Sequence, residues 1–317
     1  MDWESVTEEY TDEALKSLVY HEIMDKFPKM NIFNPRTKYL IKKLCRTSKT
    51  AIMYIREHFI SGSFVPLGYE IPIDENGVKP VSIALSDGSI LEIYGRADRA
   101  DGYFDTKSDK LYIRIIDYKS SAKTIEFAMV KEGIQLQLLT YLHSLVKNGS
   151  EYFDFAGEIL PGAALYMAVD RSMERFDTKP MPEELREKAA ACFALDGIIL
   201  NDDDVLKAID SEIPDNLPYT SKVANITIKK SGIDIKNLVY RKQFETLLED
   251  CEKLIKETGE KIVDGEFFIK PYRYGQSTAC DYCRYKAICG FDSTVNTYRN
   301  ISKLSKDDYF DGKKEEE

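Results

Sequence analysis

The sequence predicts an α+β fold with a mixed α/β arrangement, in which helices flank a central mixed sheet. Three observations lead to this class. The first region has apolar residues at helical spacing, the next has alternating segments separated by turn signals, and helical spacing then returns. The resulting order of helix, antiparallel strands, helix and strand is typical of layered α+β or mixed α/β proteins.

Residues 1–60 are expected to form a helical segment. Pro28 and the Asn34-Pro35 pair interrupt the pattern, so more than one helix is predicted. The apolar positions that keep a spacing near 3.6 are Leu15, Leu18, Val19, Ile23 and Phe27 in the first part, and Leu40, Leu44, Ile52 and Ile55 in the second.

From Phe64 onward the apolar residues alternate, which predicts strands over residues 69–73, 81–85 and 90–95. Asn76-Gly77 and Asp87-Gly88 lie between them and are typical of hairpin turns. Residues 111–117 are rich in β-branched side chains and form the most strand-like run of the chain.

The second half is predicted to contain a helix over 127–146, a buried strand over 162–169, and amphipathic helices over 183–212 and 242–258. The last residues, 313–317, are expected to be a charged tail. The expected domains are a helical segment (1–60), a main domain (61–295) and a C-terminal extension with the tail (296–317).

Composition limits the class of protein. With 43% hydrophobic and 31% charged residues, the 317-residue chain is expected to fold into a globular core. The net charge of −10 argues against a protein that coats nucleic acid without sequence specificity, although DNA binding at one local site is compatible with this charge. No apolar run approaches the roughly 20 residues of a membrane span, and the acidic start is unlike a signal peptide, so a cytoplasmic protein is expected. The sequence also contains no P-loop motif, so no ATP-driven motor is predicted in it.

Charged side chains gather at the ends of two predicted strands. Asp98 lies at the end of one strand, and Asp117, Tyr118 and Lys119 at the end of the next. Because side chains alternate along a strand, Asp117 and Lys119 project to one face, and hairpin pairing would bring Asp98 close to Asp117. Two adjacent carboxylates favour a divalent cation, and oxygen ligands select Mg²⁺ or Mn²⁺. The alternative is a solvated strand end with incidental charges.

Two further features complete the set of candidate residues. Gln137 and Tyr141 are four residues apart, on one face of the predicted helix that follows, where they are candidates for contacting a phosphate backbone.

Cys280, Cys283 and Cys289 form a C-x2-C-x5-C cluster. Three such thiolates without a histidine favour an iron–sulfur cluster over zinc, although the spacing leaves both open.

The motifs G-R-x-D-R-x-D, I-D-Y-K-S-S and Q-L-Q-L-L-T-Y-L resemble the RecB-type branch of the PD-(D/E)xK nuclease superfamily. More narrowly, they resemble the C-terminal nuclease domain of the B-type subunit of bacterial ATP-dependent helicase/deoxyribonucleases. The likeness covers roughly residues 35 to 305, and the segments 64–70, 161–166, 280–289 and 296–299 follow in the family's order.

The resemblance implies a restriction-endonuclease-like sheet and a metal-dependent DNA exonuclease, which hydrolyses phosphodiester bonds. Asp98, Asp117 and the carbonyl of Tyr118 would bind the metal, and Lys119 would stabilise charge on the phosphate and orient the attacking water. Gln137 and Tyr141 would support the site and the DNA backbone, with Glu70 as a weaker candidate. The cysteines would be three of the four ligands of a [4Fe–4S] cluster.

The implied setting is the processing of double-strand break ends for recombinational repair, in a heterodimer with the A-type helicase/nuclease subunit. Two alternatives remain open. One is a stand-alone RecB-like exonuclease of the CRISPR-associated type, and the other is a non-catalytic DNA-binding or scaffold module that keeps the fold.

The chain departs from the family pattern in two ligands. The usual upstream metal-binding histidine has only His21 as a candidate, and an ordinary surface histidine is the alternative. Cys45 is the best candidate for the missing fourth cysteine ligand, and the alternative is that Cys45 is a buried structural thiol. A fragment that begins after both family ligands would explain the two departures, and such a fragment would lack the cluster.

Overall fold

A computed structural model of the chain describes residues 2–29, 31–170, 190–214, 217–229, 232–233 and 237–311. The predicted tail at 313–317 and residues 183–189 of a predicted helix lie outside these ranges. The fold is α+β with a mixed six-stranded sheet, as the sequence predicts. Within the described ranges, no helix combines the length and the apolar character that crossing a bilayer requires.

The first 60 residues form two long helices after a short 3₁₀ turn at Trp3–Ser5. Helix α1 spans Glu8–Lys26 and helix α2 spans Pro35–Ile60. The side chain of Asn34 accepts a hydrogen bond from the Arg36 N–H, and Pro35 fills the first helical position, which is favoured there because a proline has no N–H to leave unpaired. The helical prediction for 1–60, with its break before Pro35, is confirmed.

The large sheet has the strand order β1-β4-β5-β6-β7-β11. Its strands are β1 (Val65–Ile73), β4 (Gly95–Asp105), β5 (Lys110–Lys119), β6 (Glu158–Ala168), β7 (Asp196–Leu200) and β11 (Leu238–Val239). β5 pairs antiparallel with β4 and parallel with β6, which makes the sheet mixed. Ile113, Ile115 and Ile116 of β5 are fully buried, because a strand covered on both faces presents apolar residues in succession.

In the part of the chain that the structure describes, eight short strands form three smaller sheets. β2 (Ser82–Ala84) pairs with β3 (Ile90–Glu92), and Gly88, with φ of +86°, closes the predicted hairpin. β8 (Tyr219–Thr220), β9 (Thr227–Lys229) and β10 (Gly232–Ile233) form a second sheet, and β12 (Tyr272–Tyr274), β13 (Ser277–Thr278) and β14 (Arg299–Ile301) a third. The hairpin expected at Asn76-Gly77 is wrong, because the strands on either side of this turn belong to different sheets.

The helix predicted over 127–146 is two helices, α3 (Phe127–Lys131) and α4 (Gln137–Asn148). Gly133 lies between them with φ of +73°, a conformation that ends a right-handed helix. Further along the described ranges lie α5 (Asp203–Ile209), α6 (Arg241–Val263) and α7 (Lys306–Asp311). Helix α6 confirms the prediction for residues 242–258.

The prediction of one helix over 183–212 holds only in part where the structure describes it. Residues 190–193 are helical, but Asp196–Leu200 form β7, which pairs antiparallel with β6, and a separate helix follows at Asp203–Ile209. Gly197 lies so close to β6 that a Cβ atom there would be 2.1 Å from the carbonyl oxygen of Ala164. Pairing with a buried strand therefore overrides the helical spacing of this segment.

The chain divides into two compact units, each made of three separate segments. The first unit contains residues Met1–Ile71, Ala97–Thr124 and Gly157–Val239, and so α1, α2 and most of the large sheet. The second contains Pro72–Arg96, Ile125–Ala156 and Tyr240–Glu317, in which α6 packs against α4 and β2.

Candidate active site

The paired strands β4 and β5 bring the predicted acidic residues together within the first unit. The register pairs Arg99 with Ile116, so one residue further along Asp98 stands opposite Asp117. The backbone N–H of Tyr118 donates a hydrogen bond of 2.9 Å to Oδ2 of Asp98. The strand ends therefore hold both carboxylates on one face of the sheet.

Lys119 lies on the same face as Asp117, two residues further along β5. Its Nζ is 2.5 Å from Oδ2 of Asp117 and forms an ion pair with it. This Oδ2 atom is shielded from solvent, and apart from Lys119 it has no hydrogen-bond donor among the described residues. The N–H of Val169 donates to the carbonyl oxygen of Lys119 at 2.8 Å and fixes the end of β5 to β6.

Asp98 is half-buried, and its environment raises the pKa of its carboxyl group. Desolvation is the largest cause, opposed by the hydrogen bond from the Tyr118 N–H, while the negative charges of Asp117 and Glu70 raise the pKa further. A cation placed beside Asp98 would therefore relieve a concentration of negative charge.

Glu70 has an unusual backbone conformation. It lies in β1 with φ of +50°, a left-handed value that non-glycine residues rarely adopt. Such conformations cost about 1–3 kcal/mol each and tend to occur at functional sites. This observation strengthens Glu70 as a candidate, and its charge reaches Asp98.

Tyr166 lies on β6 next to Asp117 of β5, and the two residues are in register. Burial and then the charge of Asp117 raise the pKa of Tyr166 to about 12. Lys119 and Lys123 both lie over the Tyr166 ring. Lys123 is exposed, yet partial desolvation, together with the positive charge of Lys119, lowers its pKa.

The opposite face of the same strands carries a buried ionic cluster that the sequence analysis missed. Arg99 donates two hydrogen bonds to Asp101, from Nε at 2.8 Å and from Nη2 at 2.7 Å, and Arg114 donates one from Nε at 2.8 Å. All three side chains are fully buried. Arg99 and Arg114 also stack on the rings of Phe59 and Phe64, at 4.2 and 4.5 Å.

The ionic cluster is connected to the strand end through Tyr118. Nη1 of Arg99 donates a long hydrogen bond of 3.4 Å to the Tyr118 hydroxyl, while the Tyr118 N–H holds Asp98. Two features of the sequence could have predicted the ionic cluster. One is the spacing D-R-x-D, because residues two apart on a strand share a face. The other is the position of Arg114 within an apolar run.

Gln137 and Tyr141 lie together on α4 in the second unit, as their spacing predicts. Nε2 of Gln137 is 3.5 Å from the hydroxyl of Tyr141. The Tyr141 ring also lies against Gly95, where a Cβ atom would be 2.1 Å from its hydroxyl oxygen. A glycine at the start of β4 therefore leaves room for this ring.

The three clustered cysteines lie in a segment of turns. Cys283 is exposed, and Cys280 and Cys289 are partly exposed. In the described part of the chain, no three His, Cys, Asp or Glu side chains come close enough to hold a metal ion. The three thiols therefore do not form a complete cluster site, which for four irons needs a fourth cysteine. Cys45 belongs to the other unit, and His21 is exposed on α1.

The donor atoms at the ends of β4 and β5 do fit a hard cation. They are the two carboxylates of Asp98 and Asp117, and Oδ2 of Asp117 is shielded from solvent with the Lys119 ammonium as its neighbour. Mg²⁺ is commonly held by one or two carboxylates, with water and substrate phosphate as its other ligands. Two carboxylates are therefore enough for such a site.

Comparison with known proteins agrees with this geometry. The family model of the PD-(D/E)XK nuclease superfamily matches residues 3–290, and the chain belongs to that superfamily. The resemblance drawn from the motifs is confirmed.

Curated relatives match nearly the whole chain, and each is named as the B-type subunit of an ATP-dependent helicase/deoxyribonuclease. The protein from Clostridium acetobutylicum is 33% identical over 309 residues, which cover 96% of this chain and 26% of the relative. The protein from Thermoanaerobacter sp. (strain X514) is 32% identical over 311 residues, with the same coverage. That from Alkaliphilus metalliredigens is 31% identical over 319 residues, covering 100% of this chain and 27% of the relative. The chain thus spans about a quarter of the length of these relatives.

Proposed function

We propose that this chain is a metal-dependent nuclease module that hydrolyses phosphodiester bonds of DNA. Its setting would be the B-type subunit of a helicase–nuclease, which would act with an A-type helicase/nuclease partner on double-strand break ends during recombinational repair. The observation that carries the proposal is the β4–β5 register, which puts Asp98 opposite Asp117 with Lys119 on the same face. The helicase/deoxyribonuclease relatives support the setting.

In this proposal Asp98, Asp117 and the carbonyl of Tyr118 hold Mg²⁺ or Mn²⁺. The cation supplies Lewis acidity at a phosphoryl oxygen and lowers the pKa of a water molecule. The Tyr118 N–H keeps Asp98 oriented, and the ion pair with Asp117 keeps the Lys119 ammonium at the strand end. Lys119 then places a compact positive charge where negative charge develops on the phosphate, and orients the attacking water.

Gln137 and Tyr141 have a supporting role in the proposal. Their side chains meet at 3.5 Å and present an amide and a hydroxyl from one face of α4. Both groups donate hydrogen bonds, which suits the oxygens of a DNA backbone. They would support the site and position the DNA strand.

The proposal is tested by DNA cleavage with Mg²⁺ or Mn²⁺, measured for the wild type, Asp117→Asn and Lys119→Ala. Each variant is expected to lose about 10²- to 10³-fold in rate, the usual cost of removing one group that stabilises the transition state. Lys107→Ala, at the exposed turn between the same two strands, is the matched control and should cleave as the wild type does.

Cleavage by both site variants at the wild-type rate would refute this assignment. A wild type that binds DNA without cleaving it, also within the full-length protein, would favour the scaffold alternative. Full processing of DNA ends without any partner would favour a stand-alone exonuclease.

We further propose that Cys280, Cys283 and Cys289 are three ligands of a [4Fe–4S] cluster in the longer protein. Their support is the C-x2-C-x5-C spacing, because thiolates are the usual ligands of such clusters. With only three clustered cysteines, this chain is expected to hold substoichiometric iron after anaerobic reconstitution. Iron and sulfide analysis that finds four of each per chain would contradict this expectation.

A further inference from the structure

Lys123 and Lys119 share one aromatic ring next to the candidate metal ligands. Nζ of Lys123 is 4.8 Å from the centroid of the Tyr166 ring, and Nζ of Lys119 is 5.8 Å from it. Tyr166 is in register with Asp117 on the adjacent strand and is almost fully buried. The ring is therefore a fixed platform that attracts two ammonium groups to the edge of the acidic site.

The two lysines differ in how their charges are balanced. Lys119 pairs with Asp117 at 2.5 Å. Lys123 lies in the segment that follows β5, is exposed, and forms no ion pair with any residue that the structure describes. Its positive charge is held in place by the ring face without being neutralised, which is the condition for attracting an anion from solution.

The anion that fits is a phosphate of the DNA strand under cleavage. Lysine binds phosphate as a compact point charge, and its contact with one phosphate releases counterions from the DNA. Lys123 forms no ion pair with either carboxylate, in contrast to Lys119, although the charge of Asp117 reaches it. Lys123 is therefore placed to contact a phosphate that neighbours the reacting one, while Lys119 is placed to contact the reacting phosphate.

We propose that Lys123, held on the Tyr166 ring, binds a backbone phosphate next to the scissile one and so positions the DNA strand. This inference rests on the proposed nuclease function and adds a substrate contact to it. Because that contact exists before and during the reaction, it should affect KM and the salt dependence of binding more than kcat.

The experiment measures the dissociation constant of the chain for a fluorescent linear duplex by anisotropy, in EDTA, at several NaCl concentrations. For Lys123→Gln, the slope of log Kd against log [NaCl] should fall by about one unit, as expected for one lost phosphate contact. In Mg²⁺, KM should rise about three- to tenfold, with kcat within about twofold of the wild type. Lys123→Arg keeps the charge and should restore the slope.

Lys107→Gln is the matched control, because it removes the same charge from the far end of the β4–β5 pair and should leave the slope unchanged. A wild-type slope in Lys123→Gln, in a protein that cleaves DNA, overturns the inference and leaves the nuclease function intact. A reduced slope in Lys123→Gln, when the wild type binds but never cleaves DNA, supports the Lys123 contact and refutes the catalytic proposal. A wild type that does not bind DNA overturns both.

Discussion

At the scale of single residues, the two faces of the β4–β5 pair have different chemistry. One face carries Asp98, Asp117 and Lys119 at the strand ends, and the other buries two arginines against a single carboxylate. The placement of the first set on one face follows from the alternation of side chains and was predictable. The second set had a local signal in the spacing of Arg99 and Asp101, but the Phe59 ring that covers Arg99 comes from α2, far away in the sequence, and the local pattern does not show it.

His58 is the clearest example of such a long-range contact. It lies on α2 and is 1% exposed, and neither ring nitrogen has a hydrogen bond of good geometry to a described residue, although the Phe193 backbone is close. Burial, followed by the charges of Arg99 and Arg114, lowers the pKa of His58 well below its ordinary value. The folded protein therefore keeps His58 neutral.

We expect this neutral histidine to make stability depend on pH. Below about pH 6.5 the unfolded chain binds a proton at His58 that the folded chain does not, so the free energy of unfolding falls as the pH falls. The loss is about 1.4 kcal/mol per pH unit until the folded-state pKa is reached. Urea unfolding between pH 7.5 and 5.5 should therefore show a flatter profile for His58→Gln than for the wild type.

The matched control is His21→Gln, at an exposed histidine on α1, which should keep the wild-type profile. The pKa of His143 is also lowered, but His143 is present in all three proteins and cancels in the comparison. A His58→Gln profile parallel to that of the wild type would show that His58 takes up its proton in the folded protein as it does in the unfolded chain, and would contradict the expectation.

At the scale of elements, the sequence predicted the long helices and the central strands well, because each has one clear periodicity. It failed where one residue changes the geometry. Gly133 divides an otherwise continuous apolar stripe into α3 and α4, and the spacing of the stripe does not show this. The segment at Asp196–Leu200 has enough apolar residues for either structure, and pairing with β6 makes it a strand.

The close approach of β6 and β7 gives a direct test of that pairing. A Cβ atom at Gly197 would be 2.1 Å from the Ala164 carbonyl oxygen, so Gly197→Ala must push the two backbones apart. We expect a loss of about 1–3 kcal/mol in unfolding free energy.

Gly162→Ala on β6 provides the comparison for this substitution. Its Cβ atom would be 3.2 Å from the Ile113 carbonyl oxygen, so a shift of a few tenths of an ångström is enough and the cost should be smaller. Equal melting curves for the wild type and Gly197→Ala would mean that β6 and β7 do not pair as described.

At the scale of the whole molecule, the chain builds each of its two units from three separated segments. A domain division read along the sequence, as 1–60, 61–295 and 296–317, cannot express such an arrangement, because it assumes that each unit is continuous. The net charge of −10 is similarly a property of the whole chain, whereas the ammonium groups near Tyr166 form a local site. The function proposed for the strand ends therefore depends on local charge and not on the net charge.

The proposed nuclease function requires Asp98 and Asp117 to bind one hard divalent cation at the ends of β4 and β5. Anomalous X-ray diffraction from crystals soaked in Mn²⁺ would locate this cation, with crystals of Asp117→Asn as the comparison. We expect an anomalous peak about 2.0–2.2 Å from oxygens of both carboxylates, lost or weakened in the variant. Occupied manganese sites elsewhere, with no peak between these two side chains, would contradict it.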